Sequence, residues 1–427
     1  MKRSTDRILT THVGSLVRPV EIREFLAAKD RGDKIDEAKF QATLQREVRA
    51  VVRQQAETGL DIINDGEFGK PGWVRYVAER MQGLTYRDVK PGDHIPSPYD
   101  VVRETGVFRD FYEAYYRIVS YDWLPPGQSK MKIGPDVPPP PPPTKIWECD
   151  GPISYRGQAM IKRDIADLKE ALSGVKYEDA FLPVAAPMSA RSSWLNTYYK
   201  TQNEVFAGLA GALHEEYKAI VDAGFILQVD DAFLAHEYDR LLAQMDEKEV
   251  IRHCGMCVEL LNGALEGIPE DRVRYHVCWG SWAGPHVTDI PLKTLVSLVL
   301  QVKAQAYSLE AANPRHEHEW QVWKDVKLPD GKILIPGVVT HSTNVVEHPE
   351  LVSLRLKNFA SVVGRENVIG GTDCGFAQSY NVVRVHPSVQ WAKLQSLVEG
   401  ARLASQELWG EKSGGKKSTN QKKRRSA

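Results

Sequence analysis

Eight short apolar runs alternate with longer stretches of helical periodicity along almost the whole chain. The runs contain few polar side chains, as expected of parallel strands that are buried on both faces. The stretches between them place apolar residues near the i, i+3, i+4 spacing of amphipathic helices. Eight strands interleaved with helices predict an α/β fold, the (β/α)8 TIM barrel, whose active site lies at the carboxyl ends of the strands. The predicted strands are residues 8–13, 60–64, 180–184, 225–229, 273–278, 306–309, 333–339 and 368–371.

The composition is that of an ordinary soluble globular protein. The 427 residues are 42% hydrophobic and 26% charged, with a formal net charge of -1, so nothing indicates a nucleic-acid partner. No apolar run approaches the roughly 20 residues that span a bilayer, and the amino terminus lacks the apolar core of a signal peptide. We therefore expect a cytoplasmic protein with no membrane association. Five thinly spread cysteines favour reduced thiols over a disulfide framework.

Ionisable or thiol side chains follow seven of the eight predicted strands. Because the carboxyl ends of all barrel strands meet at one rim, these side chains should converge over the barrel mouth. A chance scatter of ionisable residues would rarely produce this distribution, which therefore predicts an active site at the rim. The residues are His12 and Ser15 after the first strand, Asp65 and Glu67 after the second, Asp230 after the fourth, His276 and Cys278 at the fifth, Glu310 at the sixth, His341 at the seventh, and Asp373 and Cys374 at the eighth.

His276 and Cys278 are separated by a single residue at the end of the fifth predicted strand. Side chains two positions apart on a strand point to the same face, so this imidazole and thiol can bind one ion together. Cys374, at the end of the eighth strand, could provide a third soft ligand, and the set predicts a zinc site. An isolated His-x-Cys more often only packs in a core, since free cysteines are usually buried.

The ordered set of motifs resembles the catalytic domain of cobalamin-independent methionine synthase, in the superfamily that also contains uroporphyrinogen decarboxylase. The resemblance covers roughly residues 5–410. Residues 276–289, 310–320 and 337–350 are more similar still to the epoxyalkane:coenzyme M transferases, which consist of a single barrel. The matching motifs are Val13-Gly14-Ser15, Gly66-Glu67, Gln228-Val229-Asp230, His276-Val277-Cys278, Glu310, His341-Ser342 and Asp373-Cys374-Gly375.

The resemblance implies a role for each of these residues. The zinc ligands would be His276, Cys278, Glu310 and Cys374, with the Glu310 carboxylate displaced by an incoming thiol. The polar end of the thiol substrate would lie against Ser15, Glu67 and Asp230, and the catalytic groups would be Asp230 and His341, the latter as a proton donor or relay. The alternatives are structural: Asp230 as a helix cap, Ser15 as a turn residue, Glu67 as a solvated carboxylate and His341 as a core histidine.

The implied reaction is transfer of an alkyl group, most simply methyl, onto a zinc-activated thiol. The methionine synthase pattern suggests a methyltetrahydrofolate-type donor and a homocysteine-type acceptor. The coenzyme M pattern suggests instead that a thiol opens an epoxide. Hypotheses of another class are a zinc hydrolase, in which the metal activates water, and a non-catalytic protein that zinc only stabilises.

Two segments depart from the regular barrel pattern. We expect one barrel domain over residues 1–410, with an insertion at about 82–177 that contains six consecutive prolines within residues 137–143, a stiff polyproline II spacer. Aromatic residues at 108–123 indicate a lid or an oligomer contact, so a homo-oligomer is possible. Residues 411–427 are polar and basic and are expected to form a disordered tail.

Overall fold

The computed structural model describes residues 1–93, 102–112, 145–190 and 194–410. Eight parallel strands form a single sheet in the order β1-β11-β10-β9-β8-β7-β5-β2. The amide of Asp61 donates to the carbonyl of Thr10 at 3.1 Å and so links the strands at the two ends of that order. The predicted (β/α)8 barrel is confirmed. Its strands are β1 (Leu9–Thr10), β2 (Ile62–Ile63), β5 (Asp179–Ala185), β7 (Ile226–Asp230), β8 (Val273–Val277), β9 (Ala306–Glu310), β10 (Ile333–Val339) and β11 (Ile369–Thr372).

Helices fill the connections between the strands and cover the outside of the barrel. The long ones begin with ordinary caps: Asp36, Thr201 and Asp246 accept hydrogen bonds from amides of the first turn, as N-cap side chains do. The helices are α1 (Val20–Arg31), α2 (Glu37–Thr58), α3 (Arg75–Glu79), α4 (Val102–Val107), α5 (Gln158–Ala171), α6 (Pro187–Ala190), α7 (Gln202–Asp222), α8 (Phe233–Leu242), α9 (Glu247–Ala264), α10 (Leu292–Val299), α11 (Pro349–Val363) and α12 (Pro387–Trp409), with short 3-10 helices at Glu270–Arg272, Glu317–Lys324 and Arg365–Asn367.

The interior of the barrel changes from apolar to polar along the strands. Because side chains alternate between the two faces of a strand, every second residue points inward. The residues nearest the amino ends form a closed apolar cluster, and the next inward positions on β7 and β8 are Gln228 and Arg274, then Asp230 and His276. The floor of the site is therefore a packed core rather than a pore. The apolar cluster consists of Leu9, Ile62, Phe181, Ile226, Ala306, Ile333, Ile335 and Ile369.

Arg274 is fully buried inside the barrel. Its guanidinium donates to Gln228 Oε1 at 2.5 Å, to Thr11 Oγ1 at 3.0 Å and to the carbonyl of His12 at 2.5 Å, and it lies 3.8 Å from the ring centroid of Phe181. Burial lowers the pKa of Arg274 to about 9. This side chain therefore binds the loop after β1 to strands β7 and β8, directly below the rim.

The insertion between β2 and β5 contributes a second, smaller sheet. It contains β3 (Met81–Asp88), β4 (Lys145–Tyr155) and β6 (Trp194–Asn196), with β3 antiparallel to β4 and β4 parallel to β6. Glu216 of α7 attaches this sheet to the barrel, because it accepts from Tyr155 at 2.8 Å and pairs with Arg80 at 2.7 Å. The segment Val102–Tyr112 packs against the loop after β8.

Several predictions fall on other parts of the chain. The polyproline run at 137–143, the aromatic residues at 115–123 and the basic tail at 411–427 lie outside the described residues, so their roles stay predictions, as do the domain bounds and a homo-oligomer. Among the described residues, no helix combines the length and apolarity that crossing a membrane requires.

Candidate metal centre and active site

A cavity of about 280 Å³ opens at the carboxyl ends of the barrel strands. One side of it is mainly polar and contains the thiols, and the other side is formed by aromatic and aliphatic side chains from the loops after β2, β7, β8 and β11. Six of the eight residues predicted for the site line this cavity, while Glu310 and His341 lie behind its wall. The six are Ser15, Glu67, Asp230, His276, Cys278 and Cys374.

His276, Cys278 and Cys374 come together at the floor of the cavity. Their potential ligand atoms all lie within 4.8 Å of one another, and the two sulfur atoms are 3.9 Å apart. The Nδ1 atom of His276 contacts Ser308 Oγ at 3.2 Å. Its Nε2 atom is buried and makes no hydrogen bond of ordinary geometry, while, against the effect of burial, the nearby Cys374 thiol raises the pKa of His276. An oriented imidazole whose second nitrogen lies beside two thiols suits a zinc site.

The two thiols are electrostatically unequal. The hydrogen bond with Cys278 holds the pKa of Cys374 well below its ordinary value, against the effect of burial. The same bond, together with burial, raises the pKa of Cys278 well above its ordinary value. The pair thus holds one negative charge readily, and a cation at this position would favour ionisation of both thiols.

Glu310 lies next to this group but is not part of it. One carboxylate oxygen accepts from the amide of Trp279 at 2.9 Å and the other from Asn313 Nδ2 at 3.1 Å. Burial raises the pKa of Glu310, so the carboxylate is costly to keep charged without a further partner. In this position it supports the residue that follows Cys278 rather than meeting the sulfur atoms, and its assignment as a fourth ligand stays a prediction.

Asp230 ends β7 and faces the cavity. Its Oδ1 atom accepts from Gln228 Nε2 at 2.6 Å, and the same amide group also donates to the carbonyl of Val13. Arg274, which donates to Gln228 Oε1 at 2.5 Å, fixes the orientation of that amide. Burial raises the pKa of Asp230 to about 7. The carboxylate is therefore ready to ionise when a cationic group enters the cavity.

Glu67 and Ser15 complete the polar side of the cavity. Glu67 has a positive φ of 58° and is buried, and its Oε2 atom pairs with Lys70 Nζ at 3.1 Å. A methyl group on Gly14 would lie 2.7 Å from Glu67 Oε1, and one on Gly375 would lie 2.0 Å from Ser15 Oγ. The glycines of the Gly14-Ser15 and Cys374-Gly375 motifs therefore leave room for the side chains of the site.

His341 is buried beyond the wall of the cavity. Neither ring nitrogen has a hydrogen-bond partner, and burial lowers the pKa of His341 to about 4, with nearby Cys374 acting in the opposite direction. The imidazole is therefore neutral at pH 7. Its predicted role as a proton donor or relay requires a hydrogen-bonded path from the ring to the cavity.

Sequence reasoning missed a buried network beside the site. Asp289 Oδ2 accepts from His286 Nδ1 at 2.8 Å and from His316 Nε2 at 3.0 Å, and His316 Nδ1 donates to Glu319 Oε2 at 2.8 Å. The ring of His316 stacks on that of Trp279 with centroids 4.1 Å apart. The i, i+3 spacing of His286 with Asp289 and of His316 with Glu319 is a signal that could have indicated these pairs.

Removal of His316 should change how stability depends on pH. Burial alone would lower the pKa of His316, but its bonds to Asp289 and Glu319 outweigh burial and raise the pKa to about 10. A raised folded-state pKa stabilises the fold fully below the unfolded value near 6.5 and loses that contribution as pH rises through 10. The melting temperature of wild type should therefore fall relative to that of His316→Gln between about pH 6.5 and 10.

Thermal denaturation of both proteins at half-unit pH intervals checks this expectation. His318→Gln is a matched control from the same segment, since that side chain is exposed to solvent. If the difference in melting temperature between wild type and His316→Gln stays constant across this pH range, the His316 ring is not held in its charged form by the folded protein.

Comparisons with known proteins agree with the geometry. Residues 8–93 and 193–394 match the family described as cobalamin-independent synthase, catalytic domain. The methionine synthase of Sulfolobus acidocaldarius is 23% identical over 403 residues, covering 93% of each chain. The 2-hydroxypropyl-CoM lyase of Xanthobacter autotrophicus is 21% identical, covering 87% of this chain and 88% of that protein.

The fold is also found among solved structures. The B12-independent methionine synthase of a Shewanella species, solved with selenomethionine, superposes with a TM-score of 0.66 at 18% identity, covering 94% of this chain and 99% of that one. At this identity the superposition shows a shared barrel fold. Because the family match extends over most of the barrel and includes the loops that carry the thiols and carboxylates, the chain belongs to the cobalamin-independent synthase catalytic-domain family.

Proposed function

We propose that this protein is a zinc-dependent transferase that moves an alkyl group, in the simplest case methyl, onto the sulfur of a small thiol. The observation that carries the proposal is the convergence of His276, Cys278 and Cys374 within 4.8 Å at the floor of an accessible cavity. The buried Nε2 atom of His276 adds support, because it makes no hydrogen bond of ordinary geometry and such an atom costs free energy unless something binds it.

Zinc is the metal that these donors fit best, since a thiolate and imidazole set is soft and zinc prefers it over magnesium or calcium. His276, Cys278 and Cys374 would hold the ion, and Glu310, whose carboxylate accepts from the amide of Trp279, would be the fourth ligand that the substrate thiol displaces. When bound, zinc lowers the pKa of a thiol and keeps it in the nucleophilic thiolate form at neutral pH. Two thiolates from the protein make the ion a weak Lewis acid towards water, which favours thiol transfer over hydrolysis.

Glu67 and Asp230 would bind the polar end of the thiol substrate. Both carboxylates face the cavity from the loop after β2 and the end of β7. Lys70 neutralises Glu67 at 3.1 Å, and burial keeps the pKa of Asp230 near 7. An ammonium group between them would make Asp230 a full carboxylate. This preference for a cationic group favours an amino thiol of the homocysteine type over an anionic thiol such as coenzyme M.

The opposite side of the cavity would hold the alkyl donor. Trp73 and Phe233 form a roughly parallel pair with ring centroids 6.2 Å apart, and Trp282 closes the same side. These rings would exclude water from the reacting sulfur and orient the donor, for which a methyltetrahydrofolate-type molecule is the first candidate. His341 would relay a proton to the leaving group through its neutral ring, which can donate from one nitrogen and accept at the other. Because neither nitrogen bonds to another described residue, this role requires water that links the ring to the cavity.

The proposed substrate contacts lead to a direct binding prediction. Homocysteine should bind the zinc-loaded protein more tightly than 4-mercaptobutyrate, which has the same thiol and carboxylate but no amino group. Asp230→Asn should weaken homocysteine binding at least about tenfold, because a buried charge pair is lost, and should leave 4-mercaptobutyrate binding nearly unchanged. Isothermal titration with both thiols measures the two effects.

The 2-hydroxypropyl-CoM lyase relative supports a second candidate, addition of coenzyme M to an epoxide. Coenzyme M is therefore the third ligand in the titration. Tighter binding of coenzyme M than of homocysteine would move the proposal to epoxide chemistry, and binding of none of the three thiols would contradict thiol transfer altogether.

A further inference from the structure

The insertion contacts the active-site loop at a position that the family match leaves out. The matched residues stop at 93 and resume at 193, so the family match leaves out the excursion after β2 as well as barrel strand β5 (Asp179–Ala185). Within this unmatched stretch, the described segment Val102–Tyr112 lies against the residues that follow Cys278. Two of the side chains through which it meets the barrel, Glu104 and Tyr112, are themselves buried.

Glu104 is the centre of this contact. The side chain is completely buried, and its Oε2 atom accepts from the amide of Val287 at 2.6 Å. Its other oxygen accepts from the hydroxyl of Tyr112, and that hydroxyl in turn accepts from the indole Nε1 of Trp282 at 3.2 Å. A buried carboxylate that accepts from two donors forms strong, charge-assisted hydrogen bonds of defined geometry.

Trp282 connects the contact to the cavity, since its ring forms part of the cavity wall. The ring stacks on His286 with centroids 4.2 Å apart. A methyl group on Gly280 would lie 1.8 Å from Trp282, and one on Gly284 would lie 2.1 Å from it. The two glycines allow the loop backbone to approach the ring this closely, so the position of the ring and the path of the loop are fixed together.

The same loop also contacts a cysteine of the site. Ser281 Oγ donates to Cys374 Sγ at 3.1 Å. A second contact lies at the far end of the loop. There Asp239 of α8 forms an ion pair with Arg103 of the insertion and accepts from Thr288 Oγ1 of the loop at 3.2 Å. Movement of residues 279–289 would therefore displace the cavity wall and remove a hydrogen bond from the Cys374 sulfur.

We propose that Glu104 and Tyr112 are positioning residues, which clamp the loop 279–289 and thereby fix the Trp282 wall of the cavity and the surroundings of Cys374. The insertion thus completes a site whose reacting groups all come from the barrel. As part of transferase specificity this role rests on the proposed function, but the clamp itself would act on the cavity whichever thiol or donor enters it.

The experiment compares wild type, Glu104→Gln, Tyr112→Phe and the control Asp110→Asn, which alters an exposed carboxylate of the same segment. Amide hydrogen exchange of the full-length protein as purified reports on the loop 279–289. Iodoacetamide labelling of the full-length protein, after metal removal and under reducing conditions, reports on each cysteine by mass spectrometry. Cys149, Cys254 and Cys257 are buried elsewhere and serve as internal controls for the fold.

In Glu104→Gln we expect exchange of the loop and labelling of Cys374 to accelerate at least about tenfold, because a charge-assisted hydrogen bond no longer opposes opening. The three control cysteines and Asp110→Asn should behave as in wild type. Faster loop exchange with unchanged Cys374 labelling would overturn the proposal, since the segment would then only attach the insertion to the barrel. Unchanged loop exchange would overturn it as well.

If Glu104→Gln destabilises the whole protein, all five cysteines would label faster. Tyr112→Phe then becomes the test of the proposed contact. It removes one hydroxyl and leaves the buried carboxylate in place. Selective acceleration at Cys374 in this variant supports the clamp, and acceleration at all five cysteines, or at none, contradicts it. None of these readouts depends on thiol transfer, so failure of the clamp is distinguishable from failure of the proposed function.

Discussion

Cys374→Ser should lose its zinc and its ability to bind thiol substrates. A serine oxygen is harder than a thiolate and does not ionise near pH 7, so only His276 and Cys278 would remain from the group within 4.8 Å. Loss of a partner outside the coordination shell already weakens metal binding by about 10- to 100-fold, so loss of a ligand should cost at least about 100-fold. Metal analysis after dialysis should find close to one zinc per chain in wild type and almost none in the variant.

Cys257→Ser is the matched control. Cys257 is buried in α9, where its sulfur lies 3.8 Å from His253 Nε2, so the variant should retain zinc. X-ray absorption at the zinc edge then tests the chemistry: homocysteine or coenzyme M should add one sulfur to the zinc shell of wild type. A shell that no thiol alters, or a wild-type protein without zinc, would remove the basis of the transferase proposal and favour a structural or hydrolytic site.

Arg274→Met should destabilise the barrel by about 3 kcal/mol or more, a large part of the usual stability of a domain. Methionine fills a similar length of the interior but donates no hydrogen bond. Gln228 Oε1, Thr11 Oγ1 and the carbonyl of His12 would lose the donor that now satisfies them. These buried acceptors without a donor lower the free energy of unfolding. Removal of the guanidinium charge, whose burial is itself unfavourable, offsets only part of that loss.

Urea denaturation with and without the substitution measures the difference in the free energy of unfolding. Arg252→Met is the control, because the side chain of Arg252 is 75% exposed in its ion pair and its removal should change stability by less than about 0.5 kcal/mol. Equal stabilities of Arg274→Met and Arg252→Met would contradict the role of Arg274 in joining the loop after β1 to β7 and β8.

The barrel could be predicted from the sequence because each parallel strand is buried on both faces and reads as a continuous apolar run. Residues 333–339, for example, were predicted with the bounds that β10 has. The exact ends of the strands are harder to predict from the sequence: the predicted strand 8–13 corresponds to a strand of only two residues, Leu9–Thr10. Beyond Thr10 the chain turns inward, where Arg274 and Thr372 hold it by side-chain hydrogen bonds that a local apolar pattern does not encode.

The convergence of the thiols was also predictable, since it follows from strand alternation and from the common rim of the barrel. The placement of Glu310 and His341 was not. Both follow or end strands as expected. Glu310, however, accepts hydrogen bonds from the amide of Trp279 and from Asn313, and His341 is buried behind the cavity wall. Such placements depend on loop paths. The contact from Glu104 to Val287, which crosses 183 positions of the chain, depends on them entirely.

The clamp between Glu104 and the loop after β8 has a consequence for how enzymes of this architecture can diversify. The reacting groups lie at the ends of barrel strands or in the residues directly after them, whereas the segment that supports one cavity wall lies in a single excursion between β2 and β5. Exchange of that excursion could reshape the pocket for a different donor without disturbing the strands. For an engineer, residues 102–112 together with Trp282 are the natural unit to transplant or randomise.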